Sequence, residues 1–301
     1  MTALLTLLFE PDCFTSEPVR VAMILGGCAA IVSGVVGVFT VIRGQSFAGH
    51  ALADVTGAGG SAALLLGLNP LFGFLGMAVL CAGALEWLGV RTARERDLVT
   101  GVVMGAGLGL TALLLYLDVT RSSTSGAAVM IMFGSMFTLS RSTVPLGTGV
   151  GAAALATVAV LYRPLLLSSL DPTLAEIRGV NVRWLGFLHL VILALAVSLS
   201  AMTIGAILST ALLVGPAAIA VRLEKRPGWA VLWAALIGLG VTWGGILMAY
   251  DSYYWTPGHG WPVSFCIVAL TFGVYLGTCI PGLGNRPRPQ AIASPRDAAG
   301  A

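Results

Sequence analysis

Four stretches of this sequence, 98–117, 144–162, 229–250 and 262–280, contain no charged residue at all. Each is close to the ~20 residues that an α-helix needs to cross the ~30 Å hydrocarbon core of a bilayer. Five more apolar runs of similar length, at 19–42, 48–67, 70–90, 185–203 and 205–222, carry only isolated charged or histidine residues. In lipid the backbone must satisfy its own hydrogen bonds, and a helix does so within one segment. The pattern predicts an all-α, polytopic membrane protein with about nine transmembrane helices, within a range of eight to ten. Composition closes off the alternatives. Only 10% of the residues are charged, against roughly 25% in a soluble domain, which leaves too little polar surface to cover a water-soluble globule of 301 residues. The same figures exclude a disordered chain, a collagen and a disulfide scaffold.

The charges that remain set an expected orientation. Thirteen of the sixteen basic residues (Arg43, Arg91, Arg94, Arg96, Arg163, Arg178, Arg183, Arg222, Lys225, Arg226, Arg286, Arg288 and Arg296) fall on one side of the nine spans, and Arg20, Arg121 and Arg141 on the other. Basic loops stay in the cytoplasm, so the N-terminus is expected outside and the C-terminus inside. Residues 1–18 read as an extracytoplasmic interfacial segment, because Met1–Glu10 has neither a basic n-region nor a cleavage site. Residues 19–280 form the membrane domain, with a cytoplasmic loop at 163–184. Residues 281–301, rich in Pro, Arg and Ala, read as a disordered cytoplasmic tail. The apolar segment Ala127–Thr138 is too short to cross and reads as a partial or re-entrant helix.

Two chemistries are excluded at once. The only lysine, Lys225, sits in Arg-Leu-Glu-Lys-Arg-Pro without preceding glycines, so the chain has no phosphate-binding loop for ATP. The five cysteines (13, 28, 81, 266 and 279) show no Cys-x-x-Cys spacing and read as small buried hydrophobes.

Ionisable residues inside a membrane are costly and ask for a reason. The spans hold His50, Asp54, Glu86 and His189. Glu86 lies one turn from Arg91 and reads as a solvated or locally paired carboxylate, and His189 as an interior histidine. His50 and Asp54 differ in being a pair. At i, i+4 they project from one helical face, and an imidazole with a carboxylate suits zinc, manganese or Fe(II). A structural His–Asp hydrogen bond near the cytoplasmic rim explains the same pair, and residue chemistry leaves the two readings open. The small-residue run Gly57-Ala58-Gly59-Gly60-Ser61-Ala62-Ala63 permits close helix approach.

The loop after Tyr162 contains a second constellation. Asp171 is a good N-cap, Pro172 fits a first helical turn and Gly179 fits a stop. A helix of about two turns is expected between two spans, with Leu174 and Ile177 on one side. It is either an amphipathic connector on the lipid surface or a knob that a cytoplasmic partner grips.

Four segments, in order, resemble the permease subunits of ABC importers for zinc, manganese or iron. Val41-Ile-Arg-Gly-Gln-Ser-Phe-Ala-Gly-His-Ala-Leu-Ala-Asp stands where that family has Arg-x-Leu-Ser-x-x-Gly-Asp-Ala-Leu-Ser-His-Ala. Phe133-Gly-Ser-Met-Phe-Thr-Leu-Ser-Arg-Ser is similar to Leu-Phe-Gly-Ser-Ile-Leu-Thr-Val-Ser. Residues 170–182 are similar to Phe-Asp-Pro-Glu-Leu-Ala-x-x-x-Gly. Ile204-Gly-Ala-Ile-Leu-Ser-Thr-Ala-Leu-Leu-Val-Gly-Pro-Ala-Ala is similar to Val-Gly-x-Leu-Leu-Val-x-Ala-Leu-Leu-x-x-Pro-Ala. The resemblance implies a fold related to that of the vitamin B12 and siderophore permeases.

The resemblance implies a homodimer in the bacterial cell membrane, served by two cytoplasmic ATPase subunits and an extracytoplasmic metal-binding protein. It implies no chemistry on nucleic acid and no permanently bound cofactor, since the divalent metal ion is cargo. Asp171, Pro172, Leu174, Glu176, Arg178 and Gly179 become the coupling helix to the ATPase. Phe133, Gly134 and Ser135 become part of the outer gate, and His50 and Asp54 a transient metal site. The family order is Asp then His; here it is reversed, so metal selectivity does not carry over. Two other readings stay in view: a permease for a metal chelate, and a secondary transporter with His50–Asp54 as a proton relay. No role is assigned to His259.

Overall fold

The chain, in a computed structural model, is described over residues 16–87, 93–122, 126–134, 136–255 and 260–280. The expected tail 281–301 and all but residues 16–18 of the expected interfacial segment lie outside the described residues. Every regular element among them is helical. Nine long helices occupy the nine expected places: α1 (Glu17–Ile42), α2 (Ser46–Leu65), α3 (Pro70–Trp87), α4 (Ala93–Ser122), α6 (Thr143–Leu170), α8 (Val182–Ile204), α9 (Ala206–Leu223), α10 (Pro227–Trp255) and α11 (Val263–Cys279). Two short helices lie between them, α5 (Ala127–Phe133), followed by a 3-10 turn at Met136–Thr138, and α7 (Pro172–Ile177). The segment read as a partial helix is therefore α5 with its 3-10 turn.

Seven of the nine are long and apolar enough to cross a membrane; α2 and α11 are not among the seven. α11 has only 17 residues. α2 contains His50, Asp54 and the glycine run, and it tolerates them because other helices wall it off. Of its 20 residues, 14 are buried, and α3, α4, α8 and α9 all pack against it. A helix that lipid does not touch need not be apolar.

The centre of the bundle is α1 and α8, with 72% and 78% of their apolar windows buried against 22% for α4 and α6. The two central helices meet through Ser33 and Ser200, whose hydroxyls are 2.6 Å apart and wholly buried. Ser200 also donates to the Ala196 carbonyl at 3.1 Å, so the buried pair is satisfied. α1 further packs on α6, α9 and α10. α2 and α3 approach to backbone contact. Gly59 and Gly73 face each other so tightly that a Cβ on either falls inside the other's carbonyl oxygen.

One boundary differs from the expectation. The sequence around Arg163-Pro164 reads as a helix end, yet α6 continues through Pro164 to Leu170. The extension is held from the side. Leu165 is fully buried, and the Arg43 guanidinium donates to Ser169 at 2.7 Å and Ser168 at 2.5 Å. The expected loop thereby shrinks to 171–181, with α7 inside it. Arg43, the start of α2, the end of α3, the start of α4 and the end of α6 come together with α7 around one cavity. This is the basic end of the bundle.

Gly59→Ala forces two backbones apart, an overpacking worth about 1–3 kcal/mol. It is expected to lower the thermal midpoint of the detergent-purified protein. Gly76→Ala, where nothing lies within 4 Å, is expected to leave the midpoint unchanged in the same fluorescence-detected scan.

Candidate functional site

α1 turns into α2 through Arg43, Gly44 and Gln45. Gly44 takes a φ of +64°, and the Gln45 amide donates to the Thr40 carbonyl at 2.9 Å. Two turns of α2 then place His50 and Asp54 on one face, with His50 Nε2 3.6 Å from Asp54 Oδ2. The side chain of His50 is 40% exposed and that of Asp54 is 6% exposed, so the carboxylate sits behind an accessible imidazole. The other imidazole nitrogen, Nδ1, is 2.9 Å from Thr210 Oγ1 on α9. On the third side, Thr111 of α4 donates to the Gly107 carbonyl at 2.8 Å and, more weakly, to that of Asp54 at 3.4 Å.

This arrangement has the properties of a half-built metal site. With metal–ligand bonds of about 2.0–2.2 Å, two donors on one ion stand about 3–3.5 Å apart, so the 3.6 Å separation closes with small side-chain rotations. In the tautomer whose Nδ1–H donates to Thr210, Nε2 offers its lone pair beside Asp54. A hydrogen bond on the far nitrogen is how ligating histidines are usually oriented. Among the described residues no three His, Cys, Asp or Glu side chains gather around one point. Two ligands from this chain leave the remaining positions to water or to another chain.

Thr210 is the residue that sequence reasoning missed. Its signal was the polar pair Ser209-Thr210 in an apolar helix. Ser209 bonds its own backbone at Ala206, 2.8 Å away, while Thr210 reaches across to His50. The start of α9 is set by Gly205, with φ +91°. Its backbone lies directly against Gly134, with φ +80°. A Cβ on Gly134 meets the backbone of residues 203–205, and one on Gly205 meets that of residues 132–134. Both residues thus need glycine twice over, for their dihedrals and for the contact. Phe133 ends α5, and its carbonyl accepts a hydrogen bond from Ser264 of α11. Phe133 and Gly134 are therefore packed on the break from which α9 departs; Ser135 lies outside the described residues.

At the basic end, Asp171 caps α7 by accepting the Leu174 amide at 2.9 Å. Pro172 is the first helical residue. Gly179, with φ +78°, ends the turn, and its amide donates to Glu176 at 2.9 Å, while that of Arg178 donates to Leu174 at 3.1 Å. Only Ala175 of α7 is buried, while Leu174 and Ile177 are 39% and 78% exposed. Among the described residues nothing fully covers the apolar side chains of Leu174 and Ile177 on the short helix.

The other ionisable residues stand apart from the pair. His189 is fully buried, with Nε2 3.4 Å from Thr40 Oγ1 and Nδ1 unpartnered among the described residues. Glu86 pairs with Arg183 at 3.2 Å, across from α3 to the start of α8; Arg91 and His259 lie outside the described residues. Cys81 and Cys266 are buried, and Cys28 and Cys279 half-buried, all as free thiols.

Residues 15–280 match the family described as the ABC 3 transport family. The manganese transport system membrane protein MntC of Listeria innocua is 28% identical over 239 residues, 79% of this chain and 83% of that protein. The high-affinity zinc uptake system membrane protein ZnuB of Haemophilus influenzae is 27% identical over 237 residues, 77% of this chain and 88% of that protein. The solved structure of PsaBC from Streptococcus pneumoniae, in complex with a Fab, superposes with a TM-score of 0.78 at 25% identity, over 92% of this chain and 95% of that one.

An N-cap is worth about 1 kcal/mol. Asp171→Ala is therefore expected to speed hydrogen exchange at the amides of residues 174–177 by roughly fivefold. Asp171→Asn keeps the cap and is expected to leave exchange unchanged.

Proposed function

The chain belongs to the ABC 3 transport family, and on that premise we propose that it is the membrane-spanning subunit of an ATP-driven importer carrying a divalent metal ion, manganese or zinc, into the cytoplasm. It is a multi-pass protein of the bacterial plasma membrane. Two copies form the channel. The basic end faces the cytoplasm, where two ATPase subunits dock, and an extracytoplasmic binding protein delivers the ion to the opposite face. The names of the manganese and zinc relatives support the cargo class. The His50–Asp54 pair is the observation that carries the reading.

The chemistry of the pair suits a site that must let go. A closed four-ligand cage holds zinc as structure, whereas conduction needs binding firm enough to admit the ion and weak enough to release it. His50 contributes a neutral nitrogen and Asp54 a charged oxygen. Thr210 orients the imidazole from the opposite side, so α2 and α9 must both be in place for Nε2 to point at the ion. A movement of either helix loosens the pair. In the proposed cycle, ATP binding and hydrolysis act through α7. The exposed Leu174 and Ile177 enter a groove of the ATPase, and Asp171 and Gly179 keep the helix formed outside the bilayer. The motion opens the path alternately to the two faces.

The test is radioactive manganese and zinc uptake at limiting metal, with the complete transporter in cells lacking other importers. His50→Ala and Asp54→Ala are each expected to reduce uptake to background. Thr210→Val is expected to reduce it by about tenfold, the scale for losing the hydrogen bond behind a metal-ligating histidine. Uptake undiminished in both His50→Ala and Asp54→Ala overturns the assignment of the site.

A further inference from the structure

The cavity at the basic end, about 630 Å³, lies away from His50 and Asp54. Its polar wall is Arg43, Gln45, Thr100, Ser168 and Ser169, with the Glu86–Arg183 pair at one side. Three features of this wall are unfinished. The Arg43 guanidinium is half-buried and bonds only to the hydroxyls of Ser168 and Ser169, with no carboxylate within 4 Å among the described residues. Burial pushes it down to about 10, so it remains a cation at neutral pH. Thr100 is 1% exposed, and its hydroxyl has no hydrogen-bond partner among the described residues; neither has the side-chain oxygen of Gln45. Buried polar atoms without partners are rare enough to call for an explanation.

Glu86 and Arg183 neutralise each other, which leaves the wall with the net positive charge of Arg43. An anion that accepts several hydrogen bonds completes it. The Thr100 hydroxyl can turn to donate, the Ser168 and Ser169 hydroxyls can do so by leaving the Leu165 carbonyl to which both now donate, and rotation of the Gln45 amide presents its NH2 in place of the oxygen. A phosphate matches this set in charge and in acceptor count.

The surroundings say where the phosphate comes from. Trp87 and Trp184 are the sequence neighbours of Glu86 and Arg183, and they are 85% and 61% exposed. Exposed tryptophans at helix ends in a membrane protein gather at the depth of the lipid headgroups. The remaining wall of the cavity is apolar, from Ile42, Leu85, Val99 and Leu190, as a glycerol backbone and its first methylenes require.

We propose that the cavity binds the headgroup phosphate of an anionic phospholipid, with Arg43 as its counter-charge and Thr100, Gln45, Ser168 and Ser169 as its hydrogen-bond partners. Basic pockets between helices at the cytoplasmic surface are suited to such headgroups. The bound lipid joins the turn that leads into His50 to the junction where α6 gives way to α7. Anionic lipid therefore braces the link between the coupling end and the metal pair.

The full-length permease is purified and placed in nanodiscs of phosphatidylcholine with and without phosphatidylglycerol, and retained lipid is counted by native mass spectrometry. The wild type is expected to retain phosphatidylglycerol in preference to phosphatidylcholine. Arg43→Gln is expected to reduce that preference by about tenfold and Thr100→Val by about fivefold. Arg43→Gln also disturbs the serines, so Thr100→Val is the decisive variant. It removes an unpartnered hydroxyl, so its thermal midpoint in pure phosphatidylcholine stays equal or rises while lipid retention falls. Equal phosphatidylglycerol retention in the wild type and both variants overturns the proposal. Displacement of the lipid by millimolar inorganic phosphate overturns the membrane as the source. Protection of Thr100→Cys from a thiol reagent by ATPase subunits, in discs without phosphatidylglycerol, overturns it in favour of a protein partner.

Discussion

A carboxylate cannot stand against hydrocarbon, and much of the arrangement follows from keeping Asp54 away from it. The helix that carries Asp54 is walled by four others. Its glycines let α3 come within backbone contact, closing the side through which lipid would reach. The same wall frees α2 from being apolar, which is why it falls short of the hydropathy of its neighbours while being more deeply enclosed than most. The outer helices α4 and α6 meet the opposite demand. They are largely exposed and almost free of charge between their ends, so the lipid-facing surface is made by composition and the interior by packing.

How far this could be read beforehand depended on the range of each interaction. The long helices were legible because membrane thickness acts on single segments, and uncharged runs such as 229–250 record it directly. The cap at Asp171 was legible for the same reason: side chain and amide lie three residues apart. Where a feature depended on a distant partner, the sequence was silent or misleading. Arg163-Pro164 reads as a stop, yet Arg43, 125 residues away from Ser168, holds the helix beyond it. Glu86 reads as a solvated or locally paired carboxylate, while its partner among the described residues is Arg183 on another helix. The Ser209-Thr210 pair did not single out Thr210, because a hydroxyl in an apolar helix ordinarily bonds its own backbone, as Ser209 does.

The reversed order of His50 and Asp54 takes on a physical meaning once Thr210 is placed. Of the two potential ligands, the imidazole is the exposed one and the carboxylate the enclosed one. On the proposed reading an arriving ion meets a neutral nitrogen before a negative oxygen. The third contact comes from α9, so the quality of the site is a property of the spacing between two helices and not of either one alone. That is what a pathway requires: the affinity can be altered by moving the walls, without changing a ligand.

The glycine pair at the far end bears on how such a movement travels. Gly134 and Gly205 touch with main chain alone, and no side chain there can rotate to absorb a displacement. Residues 205 and 210 are separated by little more than one helical turn, about 8 Å. On the proposed reading, a displacement of the chain just after α5 bears directly on the head of α9, little more than a turn from the threonine that holds the imidazole. The joint is two bare main-chain surfaces in contact, with no side chain of either glycine to soften it.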